Sequence, residues 1–139
     1  MNIQKGLIID EPWMSEILSG RKTWEMRKTR VLVRGPVALI KKGSGHIVGV
    51  ADVIGCQPPI ASLEAYEVAE PKHRIPATRQ AQAFKDGWIT PWVLANAKLL
   101  AQPVRYRHPN GAVVWVNLEP GVLAAINAQL IGTKRNQKQ

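Results

Sequence analysis

Apolar residues follow two rhythms along this chain, one suited to strands and one to helices. A run from Ile3 that ends in Leu7, Ile8 and Ile9 predicts a short buried strand. Trp13, Ile17 and Leu18 then recur at i, i+4 and i+5, which predicts a helix over Glu11–Ser19. Asp10 stands where a carboxylate can cap that helix, and Pro12 where a missing N–H costs nothing. Gly20 can take the positive φ that stops it. Thr23–Arg27 alternates with period two, so Trp24 and Met26 share one strand face and Thr23, Glu25 and Arg27 the other. Gly35–Lys41 and His46–Gly55 are rich in Val, Ile and Ala and are separated by Lys42-Gly43-Ser44-Gly45, which predicts a hairpin.

The second half is more broken. Gln57-Pro58-Pro59 interrupts the strands, and Ser62 can cap a short helix over Leu63–Ala69. Pro71–Pro76 is expected to be loop, Ala77–Lys85 helix, and Asp86-Gly87 a turn. Trp88–Pro91 has no clear period. Trp92–Pro103 fits a helix by its Ala and Leu content and a strand by its apolar residues. Val104–Arg107 alternates, and His108-Pro109-Asn110-Gly111 predicts a hairpin turn into a strand over Ala112–Asn117. A helix from Pro120 carries Val122, Leu123, Ile126 and Leu130 on one stripe. About six strands with short helices between them predict an α+β fold, a small and mainly antiparallel β-barrel decorated by helices. One domain is expected over 1–130, with a basic, disordered tail over 131–139.

Composition narrows the function classes. The chain has 139 residues, 45% of them hydrophobic, enough to bury a core without staples. The single cysteine, Cys56, excludes an intramolecular disulfide and any multi-cysteine metal site, and it fits a reducing, cytoplasmic setting. The first residues lack the apolar core of a signal peptide, and no run approaches the roughly 18 apolar residues of a membrane span, so no membrane partner is expected. There is no Walker loop, dinucleotide fingerprint or metal-ligand spacing, so neither cofactor nor metal is expected. The oligomeric state is left open. Net charge is +9 and the pI is about 10.1. The cations cluster, which favours a polyanionic partner: RNA or another single-stranded nucleic acid.

The densest cluster carries the candidate chemistry. Glu25 is the only acid from Gly20 to Lys42, among eight Lys and Arg. Lys22 follows the helix stop, where the mouth of a cleft is expected. It can serve as a base if partly desolvated, as a stabiliser of developing negative charge if protonated, or simply as a phosphate contact. Glu25 and Arg27 can form an ordering ion pair, or Glu25 can accept from a base edge or act in proton transfer. Lys22 and Glu25 are therefore the catalytic candidates. Thr23 and Arg27 are binding candidates, with Arg21, Lys41 and Lys42 as phosphate contacts. Trp13 could stack a base or fill the core, and Trp88 and Trp92 are further stacking candidates. Trp24 is expected in the core. His46, His73 and His108 have no spacing that brings them together.

Glu11-Pro12-Trp13 followed by Ile17-Leu18-Ser19-Gly20-Arg21-Lys22-Thr23-Trp24-Glu25-Met26-Arg27 resembles the ASCH domain, of the PUA-like superfamily of small β-barrels. Gly35-Pro36, Val48–Val53 and Gly111–Val116 are also similar, and the likeness spans about Ile3 to Leu118. The resemblance implies a cleft beside the helix–strand junction that meets RNA or a modified nucleoside. It implies two hydrolytic possibilities, a ribonuclease or an amidohydrolase acting on N4-acetylcytidine. In such amidohydrolases the Lys matching Lys22 and a Thr three residues later are catalytic. Here that later position is Glu25. Thr23 cannot stand in, because one step along a strand reverses the side chain's direction. The resemblance therefore favours RNA or nucleoside binding, possible ribonuclease activity, or a non-catalytic RNA-binding module over the amidohydrolase.

Overall fold

Leu7, Ile8 and Ile9 are apolar without interruption because the strand that carries them is covered on both faces. In the computed structural model, which describes residues 2–138 and side chains through Ile131, this is β1 (Lys5–Ile9). Leu7 and Ile9 join one core cluster with Met14, Ile17, Leu39 and Trp92. Ile8 joins another with Ala38, Ile40, Ile47 and Ile126. The first cluster is covered by α1 (Trp13–Leu18). The second is covered by α5 (Pro120–Lys138), whose Val122, Leu123, Ile126 and Leu130 face it as their stripe predicts. Beyond Ile131, the tail expected over 131–139 lies outside the described side chains.

The remaining strands are β2 (Trp24–Arg27), β3 (Gly35–Lys41), β4 (His46–Cys56), β5 (Thr90–Arg105) and β6 (Trp115–Asn117). They form one mixed sheet in the order β2-β5-β4-β3-β1-β6. Only β1 and β3 pair in parallel; the other neighbours are antiparallel. Register shifts within β3–β4 and at three points of β4–β5 bend the long strands and curl the sheet into a half-barrel. The α+β, mainly antiparallel expectation is met. Gly49 permits the close fit of α1: a Cβ there would lie 2.5 Å from Leu18 Cδ2 and 2.7 Å from the Lys98 carbonyl oxygen.

One ambiguity is resolved and three local expectations are revised. Trp92–Pro103 is strand, because β5 is flanked by β2 on one side and β4 on the other, and paired context overrides the helix propensity of Ala and Leu. The His108–Gly111 turn does not close a hairpin: β6 is shorter than Ala112–Asn117 and pairs with β1, in the register Lys5↔Asn117. The stretch expected as loop over Pro71–Pro76 includes most of the single turn α3 (Glu70–His73), stopped by Arg74 at φ 60°. Finally, Asp10 does not cap α1. Its carboxylate accepts from Glu11 N, while Glu11 accepts from both the amide and the hydroxyl of Ser15.

Between β4 and β5 lies a helical layer of α2 (Leu63–Val68), α3 and α4 (Ala77–Lys85). Ser62 Oγ accepts from Ala65 N, the predicted cap. This layer has its own small core of Met26, Tyr66 and Ile75, backed by Phe84. The candidate site lies between it and the sheet.

Candidate functional site

The strand period that places Glu25 and Arg27 on one face also brings them into contact. Arg27 Nε and Nη2 both donate to Glu25 Oε2, at 3.0 and 2.8 Å. Arg27 Nη2 also donates to the Ile8 carbonyl at 2.8 Å. One guanidinium thus links β2, at the end of the strand order, to β1 across the curl. The Trp92 ring lies 5.3 Å from that guanidinium. Paired and held in this way, Glu25 is only 6% exposed.

Lys22 is not at the cleft mouth. It is 2% exposed, because the α3 turn closes over it. Its Nζ donates to the His73 carbonyl at 2.6 Å, stands 3.7 Å from Glu25 Oε1 and lies 5.1 Å from the Trp13 ring centre. Thr23 N donates to the Lys72 carbonyl, so two successive carbonyls of the turn grip the Lys22–Thr23 segment. Burial lowers the Lys22 pKa to about 8; Glu25 opposes that shift and Arg27 adds to it.

The turn is itself braced. His73 Nδ1 accepts from Ile75 N at 2.9 Å, which leaves Nε2 to carry the proton and donate to the Tyr66 carbonyl at 2.7 Å. Burial lowers the His73 pKa, so the neutral ring that this pattern requires is the favoured one. Tyr66 donates its hydroxyl to the Trp88 carbonyl at 2.8 Å. Burial, reinforced by the charge of Glu25, pushes its pKa up to about 12.

Lys22, Glu25, Met26 and Arg27 form the floor of a cavity of about 670 Å³. Trp13, Ile75 and α4 residues Thr78, Arg79 and Gln82 make one wall, with Trp88 beside them. Asp10, Lys42 and Val113 also line it, and Asp86 lies near the end of α4. Of the residues predicted from sequence, Lys22, Glu25, Arg27, Trp13 and Lys42 come together here. Three others do not line the cavity. Arg21 is exposed and paired with Glu16 at 2.9 Å. Thr23 is exposed and precedes β2. Lys41 is exposed at the end of β3.

Trp13 combines its two expected roles, half-buried against the core and lining the cavity. Trp24 is half-buried rather than central, with Lys72 Nζ 4.8 Å from its ring. Trp92 packs in the core, stacked on Trp115. His46 and His108 are held by local hydrogen bonds away from the cavity. Sequence reasoning did not place α4 at the site; the signals for it are Arg79, within a mid-chain group of cations, and the polar i, i+4 pair Thr78 and Gln82 on a short helix. No group of His, Cys, Asp or Glu among the described residues could hold a metal ion.

Comparison with known proteins agrees with this architecture. The sequence model of the ASCH domain matches residues 7–104. A crystal structure of an ASCH protein from Zymomonas mobilis superposes with a TM-score of 0.64 at 12% identity, covering 92% of this chain and 93% of that one. A serine-to-alanine variant of that protein superposes at 0.64, again at 12% identity, covering 89% of this chain and 94% of that one. A tyrosine-to-phenylalanine variant reaches 0.66 at 12% identity, with coverages of 92% and 98%. At this identity the structural likeness speaks for the fold alone. No curated protein matches the sequence.

Proposed function

The chain belongs to the ASCH domain family, which is broadly associated with RNA binding, and from that premise we propose that the cleft binds RNA or a nucleoside. The observation that carries the reading is the Lys22–Glu25–Arg27 array at the floor of a cavity within the ~300–1,000 Å³ range of ligand pockets. Arg27 occupies Glu25 Oε2, and Oε1, which stands 3.7 Å from Lys22 Nζ, is the oxygen left to accept from a base edge. Trp13 and Trp88 supply apolar surface beside it. The lining carries four cations, Lys22, Arg27, Lys42 and Arg79, against three carboxylates, Asp10, Glu25 and Asp86, an excess of the sign that a phosphate-bearing ligand requires. A lone thiol such as Cys56 fits a cytoplasmic setting for this activity. No described helix is long and apolar enough to cross a membrane. The test is anisotropy of a labelled single-stranded RNA across a salt series. Affinity should fall steeply with salt, and affinity indifferent to salt refutes the reading.

A second reading, hydrolysis of the bound RNA, is favoured by Lys22. With a pKa of about 8, part of its population is a neutral amine at neutral pH, able to take a proton from a hydroxyl or water. The protonated fraction would stabilise developing negative charge beside Arg27. In this reading cleavage of single-stranded RNA rises with pH up to about 8 and disappears in Lys22→Ala; cleavage that survives the substitution removes Lys22 from the chemistry. The amidohydrolase reading gains nothing from the geometry. Glu25 stands where the Thr is required, and Thr23 lines no part of the cavity.

A further inference from the structure

The four cations that line the cavity are not equivalent. Lys22 donates to the His73 carbonyl and faces Glu25. Arg27 is committed to Glu25 and to the Ile8 carbonyl. These two are anchored within the protein. Lys42 and Arg79 differ: among the described residues, neither has a carboxylate partner within 4.0 Å. Both side chains are exposed. They approach from different parts of the chain, Lys42 just after β3 and Arg79 from α4, whose Thr78 and Gln82 line the cavity beside it. The Arg79 guanidinium lies 6.0 Å from the Trp13 ring centre, which keeps it near the cavity wall. Besides Glu25, two acids share the lining, Asp10 and Asp86. Asp10 accepts from Glu11 N and Asp86 from Gln82 Nε2, and neither forms an ion pair with a described Lys or Arg.

We infer that Lys42 and Arg79 are phosphate anchors, and that the cleft takes a nucleotide within a strand rather than a free nucleoside. The inference rests on the RNA-or-nucleoside reading of the same cleft and chooses between its two ligands. A free nucleoside carries no phosphate, so it would leave both wall cations unsatisfied. A nucleotide inside a strand has a phosphodiester on each side, one for each cation. A charge-assisted bond from Arg79 can be bidentate, whereas Lys42 acts as a point charge. Of the three phosphate contacts expected from sequence, the assignment keeps Lys42 and replaces Arg21 and Lys41 with Arg79. Arg21 is paired with Glu16, and Lys41 does not line the cavity.

The experiment uses the full chain, a labelled single-stranded RNA octamer of mixed sequence and the four free ribonucleosides. RNA affinity is measured across a salt series for the wild type, Arg79→Gln, Lys42→Gln and a control, Arg105→Gln, whose residue is exposed at the far end of β5. Each cleft variant should lower the slope of log affinity against log salt by about 0.7. Nucleoside binding, followed by tryptophan fluorescence, should not change, and Arg105→Gln should leave the slope as it is. Three outcomes overturn the inference while the cleft reading stands: RNA binds no tighter than nucleosides, both cleft variants keep the wild-type slope, or Arg105→Gln lowers it equally. Failure of the wild type to bind either ligand overturns both readings. Thermal melts establish that each variant is folded.

Discussion

Replacing Lys22 by Met should make the protein more stable at neutral pH and less stable at high pH. The ordinary lysine pKa of 10.5 falls to about 8 at this site. That difference means the buried ammonium is disfavoured by about 3 kcal/mol relative to water. Met occupies similar space, carries no charge and removes this cost. It also leaves the His73 carbonyl without its donor, which costs about 1–3 kcal/mol. The Glu25–Arg27 pair remains and neutralises itself. The net gain at pH 7 is therefore about 1 kcal/mol. The sign must reverse with pH. Unfolded Lys22 holds its proton up to 10.5, whereas the folded protein releases it near 8. Between those values the unfolded state binds more protons, so wild-type stability rises with pH through a term that Lys22→Met lacks. Urea unfolding followed by tryptophan fluorescence, run at intervals from pH 7 to pH 10, measures the difference. The Met variant should lead at pH 7 and fall behind before pH 10. A stability difference that does not change with pH refutes the reasoning, because a solvated lysine would give that result.

Three further expectations follow from neighbouring contacts. Glu25→Gln keeps the shape but leaves the Arg27 guanidinium without its carboxylate, and should cost about 3 kcal/mol in urea unfolding; a loss below about 0.5 kcal/mol would mean that water already screens the pair. Because its folded pKa is depressed, His73 should make stability fall as pH drops below 6.5 toward that lower value. His73→Gln should flatten this acid limb in pH-dependent melts, and a limb of unchanged steepness would assign it to other groups. Gly49→Ala drives a methyl against Leu18 and the Lys98 carbonyl, and should cost about 1–3 kcal/mol by denaturant titration; a neutral result would mean that α1 can move aside.

How much of this was legible in the sequence depended on how local each cause is. Period-two alternation located the Glu25–Arg27 pair, since the contact is made within one strand. The Ser62 cap and the α5 stripe were legible for the same reason. The burial of Lys22 was not, because it is imposed by a turn 51 residues away whose role appears only when the His73 carbonyl reaches Nζ. The Asn110-Gly111 turn misled for a related reason: its chemistry is that of a hairpin, but β1 offered the edge on which β6 pairs. Lys42 was expected as a phosphate contact, but no more so than Arg21 and Lys41, and nothing in the sequence sets Arg79 apart from its neighbours. What separates them is the absence of a carboxylate, and that depends on which acids the fold has already used: Glu16 takes Arg21, and Glu25 takes Arg27 and faces Lys22. With 19 Lys and Arg against 10 Asp and Glu, many cations must go unpaired, so charge excess alone cannot mark a site. The cavity adds the missing criterion. A cation left unpaired on an open face is satisfied by water, whereas one left unpaired beside Trp13, above a floor whose one carboxylate is already taken by Arg27 and faces Lys22, is placed to hold an anion.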